Sequence, residues 1–194
     1  MLSKTADRKM QDIPKNTLIK ASEGDMEAFE EIYRTASGYV YTIALKVTGS
    51  REDAEEVTQD VFISIHKNLK RFQFRSSFKT WLYRITANMA INAYRKRSRE
   101  RGKMMPYDDG IAVEDKKAPE VSGIDEEYRQ KMVNRMLDSL PLEQRACIVL
   151  KDIEGLKYRE IAHALRININ TVRSRLKRAR EKLISRYGGE ERKP

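Results

Sequence analysis

The sequence has few of the residue types on which disulfides and metal sites depend. Its 194 residues include 1 cysteine, 2 histidines, 9 glycines and 5 prolines. One cysteine excludes a disulfide within the chain and a zinc site built on several thiolates. Because His66 and His163 lie far apart in the sequence and have no cysteine or clustered carboxylates nearby, we predict no metal site and no cofactor.

Long apolar runs and catalytic motifs are also missing. No stretch approaches the run of about 20 apolar residues that a spanning helix needs, so we expect no membrane insertion. Residues 1–15 lack the apolar centre of a secretory signal, which predicts a cytoplasmic location. A Gly-rich phosphate loop, a His pair and a nucleophile with a nearby base are absent from the sequence pattern, so we predict that the protein is not an enzyme.

The charge of the chain is strongly positive. There are 39 Lys and Arg against 29 Asp and Glu, which gives a formal net charge of +10. Such a balance favours a polyanionic partner, but it does not distinguish DNA from RNA or from an anionic membrane surface. An apolar content of 40% in a chain of this length is enough for one modest core or two small ones.

Helical periodicity dominates the chain, and no alternating segment of the kind that predicts strands competes with it. We predict an all-α fold in which two small helical domains are joined by a flexible acidic linker. The first domain comprises residues 1–103, the linker 104–127 and the second domain 128–194. The linker contains prolines, glycines and an excess of acid without periodicity, as interdomain segments do.

Capping residues divide the first domain into helices. Asp25 begins a long amphipathic run that ends near Gly49, and Ser50 with Asp53 forms a capping box that opens the next helix. In that next helix, apolar residues recur every three or four positions and predict one buried face: Ala54, Val57, Val61, Ile65 and Leu69.

A helix-turn-helix is predicted at about 158–177 in the second domain. Its first helix is expected to bury Ile161, Ala162 and Leu165. Residues 168–170 are expected to form the turn, with Asn170 as the N-cap of the second helix.

The second helix of this motif combines an apolar face with a basic one. The apolar face, which should pack on the rest of the domain, consists of Val172, Leu176, Ala179 and Leu183. The side chains expected to face a DNA major groove are Arg173, Ser174, Lys177 and Arg178, and Arg175 at the border is expected to extend outward. The motif indicates DNA binding but does not distinguish an activator, a repressor and a polymerase subunit.

Residues 72–97 form a second basic segment, which is rich in aromatic side chains. One predicted helix face, expected to be core, carries Phe78, Leu82, Ile85 and Met89, and another carries Arg84, Asn88 and Arg95. Arg and Asn contact phosphates and base edges, and aromatic side chains stack on unpaired bases, for which Phe72, Phe74 and Trp81 are candidates. Packing of the polar face against the preceding helices is the alternative interpretation, and burial in the core is the alternative for the aromatic side chains, Trp81 included.

Three segments in this order resemble the extracytoplasmic-function sigma factors, and the resemblance covers about residues 20–186. The stretch 53–62 is similar to the polymerase-binding helix of that family, 77–85 to its promoter-melting segment and 140–145 to the entry of its second domain. The resemblance implies a non-enzymatic subunit that binds core RNA polymerase, opens the minus-ten element with its first domain and reads the minus-35 element with its second. It also implies an anti-sigma protein as a further partner.

The resemblance implies a role for each candidate site residue. Core polymerase binding falls on the helix of about 53–66, through Asp53, Glu56, Gln59 and Asp60. The minus-ten contacts fall on Lys79, Trp81, Arg84, Asn88 and Arg95. The minus-35 contacts fall on Arg173, Ser174, Arg175, Lys177 and Arg178.

The sequence departs from the family pattern at three positions that bear on the promoter sequence. Asn92 stands where the family usually has an acid, and Arg166 and Asn170 stand where glycines are usual. Arg166 is expected to need a positive φ, which a Cβ disfavours. The main alternative to a sigma factor is a conventional helix-turn-helix regulator, which would leave the basic aromatic helix of the first domain unexplained.

Overall fold

The structure is a computed structural model, and it describes residues 10, 12–100, 102 and 126–188. All regular secondary structure in these ranges is helical, which confirms the all-α prediction. The predicted linker lies outside the described residues, except that Glu126 and Glu127 already belong to the first helix that follows it.

The helices fall into two compact units. The first contains α1 (Lys15–Ser22), α2 (Met26–Thr48), α3 (Arg51–Asn68), a short 3-10 helix (Leu69–Arg71) and most of α4 (Phe78–Glu100). The second is built mainly from α5 (Glu126–Asp138), α6 (Leu142–Ile148), a π-helical turn (Val149–Ile153), α7 (Tyr158–Leu165) and α8 (Ile169–Tyr187).

The caps of α2 and α3 lie where the sequence places them. The carboxylate of Asp25 accepts a hydrogen bond from a first-turn backbone N–H of α2. Gly49 ends that helix with φ of 70°, a left-handed geometry that glycine adopts without steric cost. The hydroxyl of Ser50 then accepts from the backbone N–H of Asp53 at 3.3 Å and starts α3. A two-residue turn therefore holds α3 antiparallel to α2.

The core of the first unit is formed by one apolar face from each helix. The face predicted for α3 is confirmed, because all five of its residues are at most 3% exposed: Ala54, Val57, Val61, Ile65 and Leu69, of which Leu69 already lies in the 3-10 helix. The facing side chains of α2 are equally buried and include Ile32, Ala36, Val40, Ile43 and Val47. Burial on this side turns the acidic residues of α3 towards solvent.

The predicted core face of α4 is wrong in part. Its buried residues are Phe78, Leu82, Tyr83, Thr86, Ala87 and Ala90, whereas Ile85 and Met89 are only half-buried. The buried face is rotated away from Ile85 and Met89 and continues from Leu82 through the smaller side chains of Thr86, Ala87 and Ala90. Large side chains weigh most in a sequence pattern, yet helices pack most closely where side chains are small.

A buried arginine organises the turn between α5 and α6. Arg145 is 4% exposed, and its guanidinium lies 3.1 Å from the carboxylate of Asp138. The same group donates to the backbone carbonyls of Asp138, at 3.2 Å, and of Leu140, at 3.4 Å. Burial raises the pKa of the Asp138 carboxyl, and the Arg145 charge opposes this effect. Arg145 therefore satisfies carbonyls that the end of α5 leaves without helical partners.

We expect Arg145→Met to lower the free energy of unfolding of the second unit by about 2 to 3 kcal/mol, because charged hydrogen bonds to two carbonyls are lost. Asp138→Asn is the matched control and should cost less than Arg145→Met, because it removes the counter-charge of the guanidinium and leaves both carbonyl bonds in place. Urea unfolding followed by circular dichroism measures both, and Trp81 fluorescence reports the first unit separately. An equal or larger cost for Asp138→Asn would show that the ion pair, not the carbonyl bonds, carries the stability.

Candidate nucleic-acid interface

The turn before α8 uses a different cap from the predicted one. Asn168 is the N-cap, and its side chain accepts from the backbone N–H of Asn170 at 2.8 Å. The prediction of Asn170 as N-cap is wrong, because Asn168 keeps an extended backbone while Asn170 already lies in the helix. Arg166 has φ of 54°, so the expected positive φ is confirmed.

The first helix of the motif, α7, buries a slightly different set of residues from the predicted one. Ile161 and Leu165 are buried as expected, but Ala162 is half-buried and Ala164 takes its place in the core. Residues 161, 164 and 165 lie on one face of the helix, whereas residue 162 lies on a different face. Helical spacing from Ile161 thus favours Ala164 over Ala162, and the prediction of Ala162 as a buried residue is wrong.

Helix α8 packs through the apolar face that the sequence predicts. Val172, Leu176 and Ala179 are at most 1% exposed, and Leu183 is half-buried towards the end of the helix. The side chains on the opposite side are exposed: Arg173, Ser174, Lys177 and Arg178. Helix α8 therefore packs on the core with one face and presents a row of basic and polar side chains to solvent with the other.

Two of the exposed basic side chains have partners on α8 itself. The guanidinium of Arg173 donates to the side-chain oxygen of Asn170 at 3.0 Å, which holds it over the first turn of the helix. Lys177 lies 3.8 Å from the exposed carboxylate of Glu181. Asn170 thus belongs to the exposed face as an orienting group for Arg173, a role signalled only by its spacing of three residues.

Arg175 lies on the border of the core beside Cys147. It is half-buried, whereas its exposed neighbours on α8 are open to solvent. Burial raises the pKa of the Cys147 thiol to about 11, although the nearby Arg175 guanidinium opposes this by favouring the thiolate. The thiol is consequently protonated at neutral pH and packs as a small apolar group.

The position of α8 is fixed further by an ion pair with the π-helical turn. Arg180 makes two hydrogen bonds to the carboxylate of Asp152, at 2.7 and 3.3 Å. Hydrogen bonding to Asp152 raises the pKa of Arg180, so the guanidinium is charged throughout the accessible range. Two parallel bonds constrain orientation as well as distance, which sets the rotation of α8 relative to the turn.

The exposed side of α3 is acidic around an apolar centre. Glu56, Gln59 and Asp60 are exposed, whereas Asp53 in the first turn is half-buried. Ile63, which the sequence analysis missed, is 51% exposed on the same side of the helix. Its spacing of three and four residues from Asp60 and Gln59 places it there, but an isoleucine among core residues gives no sequence signal of exposure.

Four aromatic rings cluster at the start of α4 and in the loop before it. Phe72 lies 4.8 Å from Phe74, 5.9 Å from Phe78 and 5.1 Å from Trp81, between ring centroids. Phe78 is buried, Phe72 and Trp81 are half-buried and Phe74 is 41% exposed. Phe74 also has φ of 53°. The cluster is therefore anchored by the buried ring of Phe78 and exposes part of its aromatic surface to solvent.

Lys79 is held against two tyrosine rings in the first turn of α4. Its ammonium lies 5.6 Å from the ring centroid of Tyr39, on α2, and 5.8 Å from that of Tyr83. The hydroxyl groups of the two tyrosines are hydrogen-bonded to each other. The cation is thus placed in the same helical turn as Trp81.

The remaining minus-ten candidates extend along α4. Arg84 and Asn88 are half-buried neighbours, and the amide of Asn88 donates to the carbonyl of Arg84 at 2.6 Å. Arg95 is exposed and lies seven residues further on, roughly 10 Å along the helix axis. The structure therefore places Lys79 against the tyrosine pair, Trp81 in the aromatic cluster and Arg84 beside Asn88. Arg95 stands apart near the far end of the helix.

Within the described ranges, no helix is both long and apolar enough to cross a membrane. The same ranges contain no cluster of three or more His, Cys, Asp or Glu side chains arranged to hold a metal ion.

Comparison with protein families finds two matches in chain order. The family described as Sigma-70 region 2 matches residues 32–100, and Sigma-70, region 4, matches residues 130–183. The first match covers α3 and α4, and the second covers the helix-turn-helix. A conventional helix-turn-helix regulator, the alternative left open by the sequence, would not carry the first of these regions.

Relatives of known name match most of the chain. The ECF RNA polymerase sigma factor SigE of Mycolicibacterium smegmatis is 38% identical, over 89% of this chain and 67% of its own. SigW of Bacillus subtilis is 30% identical, over 90% of this chain and 96% of its own. The sigma-E factor of Escherichia coli is 33% identical, over 84% and 87% respectively.

Solved structures share the fold. CnrH, in complex with the cytosolic domain of CnrY, matches with a TM-score of 0.66 at 23% identity, over 93% of this chain and all of that one. RpoE of Bartonella quintana, in complex with the anti-sigma factor NepR, matches with a TM-score of 0.61 at 24% identity, over 81% and 94%. Together with the family matches and the named relatives, these likenesses lead to one conclusion: the chain belongs to the ECF family of RNA polymerase sigma factors.

Proposed function

We propose that this sigma factor divides promoter recognition among three helices: α3 docks on core RNA polymerase, α4 captures the opened minus-ten strand and α8 reads the minus-35 duplex. The observation that carries the proposal is the opposite charge of two exposed faces. Each of α3 and α8 buries a regular apolar face, yet α3 turns carboxylates to solvent and α8 turns guanidinium and ammonium groups. Phosphate repels the first face and attracts the second.

The exposed face of α3 has the chemistry of a protein-binding surface. Ile63 supplies an apolar centre, and Glu56, Gln59 and Asp60 surround it with polar groups. Protein interfaces typically bury a small apolar core within a polar rim, and a few central residues carry most of the binding energy. We therefore assign Ile63 to the docking surface together with the four residues predicted from the sequence, of which Asp53 is the least exposed.

The exposed face of α8 suits a major groove. Arg173, Ser174, Lys177 and Arg178 project from the N-terminal two thirds of a helix whose opposite side is anchored. Guanidinium groups make bidentate hydrogen bonds to guanine, and a rigid helix fixes which base they reach. Arg175, half-buried beside Cys147, would reach a phosphate only along the edge of this face.

Helix α4 supports strand capture because rings and cations alternate in its first turns. Trp81 and the rings before it offer stacking surfaces, and Lys79, Arg84, Asn88 and Arg95 offer groups for phosphates and base edges. Unstacking a base costs a few kcal/mol, so binding of the freed base must supply that energy. Opening would then follow from capture, without nucleotide hydrolysis by this chain.

An anti-sigma factor is a further proposed partner. The proposed location of the protein is the cytoplasm. The two structures of similar fold are complexes, one of CnrH with the cytosolic domain of CnrY and one of RpoE with the anti-sigma factor NepR. Promoter DNA and core polymerase are the partners that a sigma factor must reach, and in bacteria both lie in the cytoplasm.

For the docking surface, we expect the double reversal Glu56→Lys with Asp60→Lys to abolish association with core polymerase. Ile63→Ala alone should weaken it by roughly tenfold or more, as loss of a central interface side chain does. Glu23→Lys, in the turn between α1 and α2, is the control for a change of charge on the same unit. Affinity is measured by titration of labelled core enzyme, with thermal unfolding of each variant. If the double reversal binds core polymerase with unchanged affinity, the docking site lies elsewhere.

For the duplex-reading face, we expect Arg173→Ala and Arg178→Ala each to cost about 1 to 3 kcal/mol in binding of the holoenzyme to upstream duplex DNA. Arg186→Ala, near the end of α8, removes the same charge outside the proposed face and should cost much less. The comparison is made by competition between upstream sequences at one fixed salt concentration. If all three variants lose affinity equally, α8 contributes only unspecific charge.

A further inference from the structure

Lys79 occupies a position where a cation is electrostatically unfavourable. It lies in the first turn of α4, where the partial positive charge of the helix N-terminus favours acids, yet that turn contains no acid. The turn is capped instead by Ser77, whose hydroxyl accepts from the backbone N–H of Thr80 at 3.1 Å. The helix terminus does not attract the ammonium, so any group that holds it lies elsewhere.

Two tyrosine rings supply that group. The ammonium lies within 6 Å of both ring centroids, at 5.6 Å from Tyr39 and 5.8 Å from Tyr83. The electron-rich faces of tyrosine rings attract a cation at such distances. Tyr83 is 1% exposed and follows Lys79 by four residues, a spacing that places both side chains on one face of α4.

The two rings pack against each other across two helices. Their centroids are 5.5 Å apart with planes inclined by 44°, and their hydroxyls share a hydrogen bond. Tyr39 comes from α2, so it fixes Lys79 from outside its own helix. A free lysine samples many rotamers, and a phosphate contact loses less entropy when the ammonium is already placed.

We propose that Tyr39 is a positioning residue for Lys79, holding the ammonium where it neutralises a phosphate of the captured promoter strand. The proposal rests on the proposed function of Lys79 in the minus-ten interface. Tyr39 lies in α2, outside every segment that the sequence associates with DNA, and it acts through Lys79 rather than by touching the strand. It would thereby raise the affinity for the opened strand without adding a contact of its own.

A double-mutant cycle in the holoenzyme tests this on a promoter selected from genomic fragments. Open-complex formation is measured as a function of salt for Lys79→Met, Tyr39→Leu, the double variant and Tyr39→Phe. Lys79→Met should weaken the complex and reduce the slope of log affinity against log salt by about 0.7 to 0.9, the value for one lost phosphate contact. Tyr39→Leu should produce most of the same loss of affinity and most of the same reduction in slope. The double variant should lose little more than Lys79→Met alone.

Tyr39→Phe is the matched control, because it keeps the ring and loses only the hydroxyl bond to Tyr83. It should retain the affinity and the salt slope of the parent. A loss of affinity that Tyr39→Phe and Tyr39→Leu share is a structural effect of the missing hydroxyl. Thermal unfolding of each variant measures the loss of stability that accompanies it. The difference between those two variants therefore isolates the ring.

The possible outcomes separate the two proposals. If Lys79→Met changes neither affinity nor slope, the assigned role of Lys79 fails, and the role of Tyr39 fails with it. If Lys79→Met behaves as expected but Tyr39→Leu leaves the slope unchanged or adds its full effect in the double variant, Lys79 keeps its role and Tyr39 is only structural. Non-additive losses with a shared change of slope support the proposal.

Discussion

Each helix buries one apolar face, and this burial determines where its remaining side chains point. On α3, Val57, Val61 and Ile65 must face the core, and on α8, Val172 and Leu176 must do so. Because a helix turns by about 100° per residue, fixing these side chains fixes the direction of every other side chain on the same helix. The acidic surface and the basic surface are thus consequences of core packing. A change in the core that rotated either helix would redirect its functional face.

The sequence predicted the faces of α3 and α8 because large β-branched and leucine side chains recur there at regular spacing. It predicted α4 less well, since Thr86, Ala87 and Ala90 carry little weight in such a pattern yet line the buried side. The cap of α8 was misplaced because Asn168 and Asn170 both suit the role, and only backbone geometry distinguishes them.

Residues that depend on contacts between helices were beyond sequence reasoning. Tyr39 meets Lys79 and Tyr83 only because α2 and α4 pack together, and no local pattern reports that contact. Ile63 looks like a core residue in the sequence, and only the fold shows that it is half-exposed beside the carboxylates. In both cases the missing information is tertiary, whereas helix periodicity and caps are local.

In the proposed function, binding alone opens the promoter, and it does so only after docking on core polymerase. Its most direct test incubates the protein with core enzyme and a library of genomic fragments, then probes unpaired thymines with permanganate in the absence of nucleotides. The proposed function predicts a distinct subset of retained fragments with unpaired thymines in one short segment, and neither result without core enzyme. Equal retention without core enzyme, or opening that requires nucleotide hydrolysis, would contradict it.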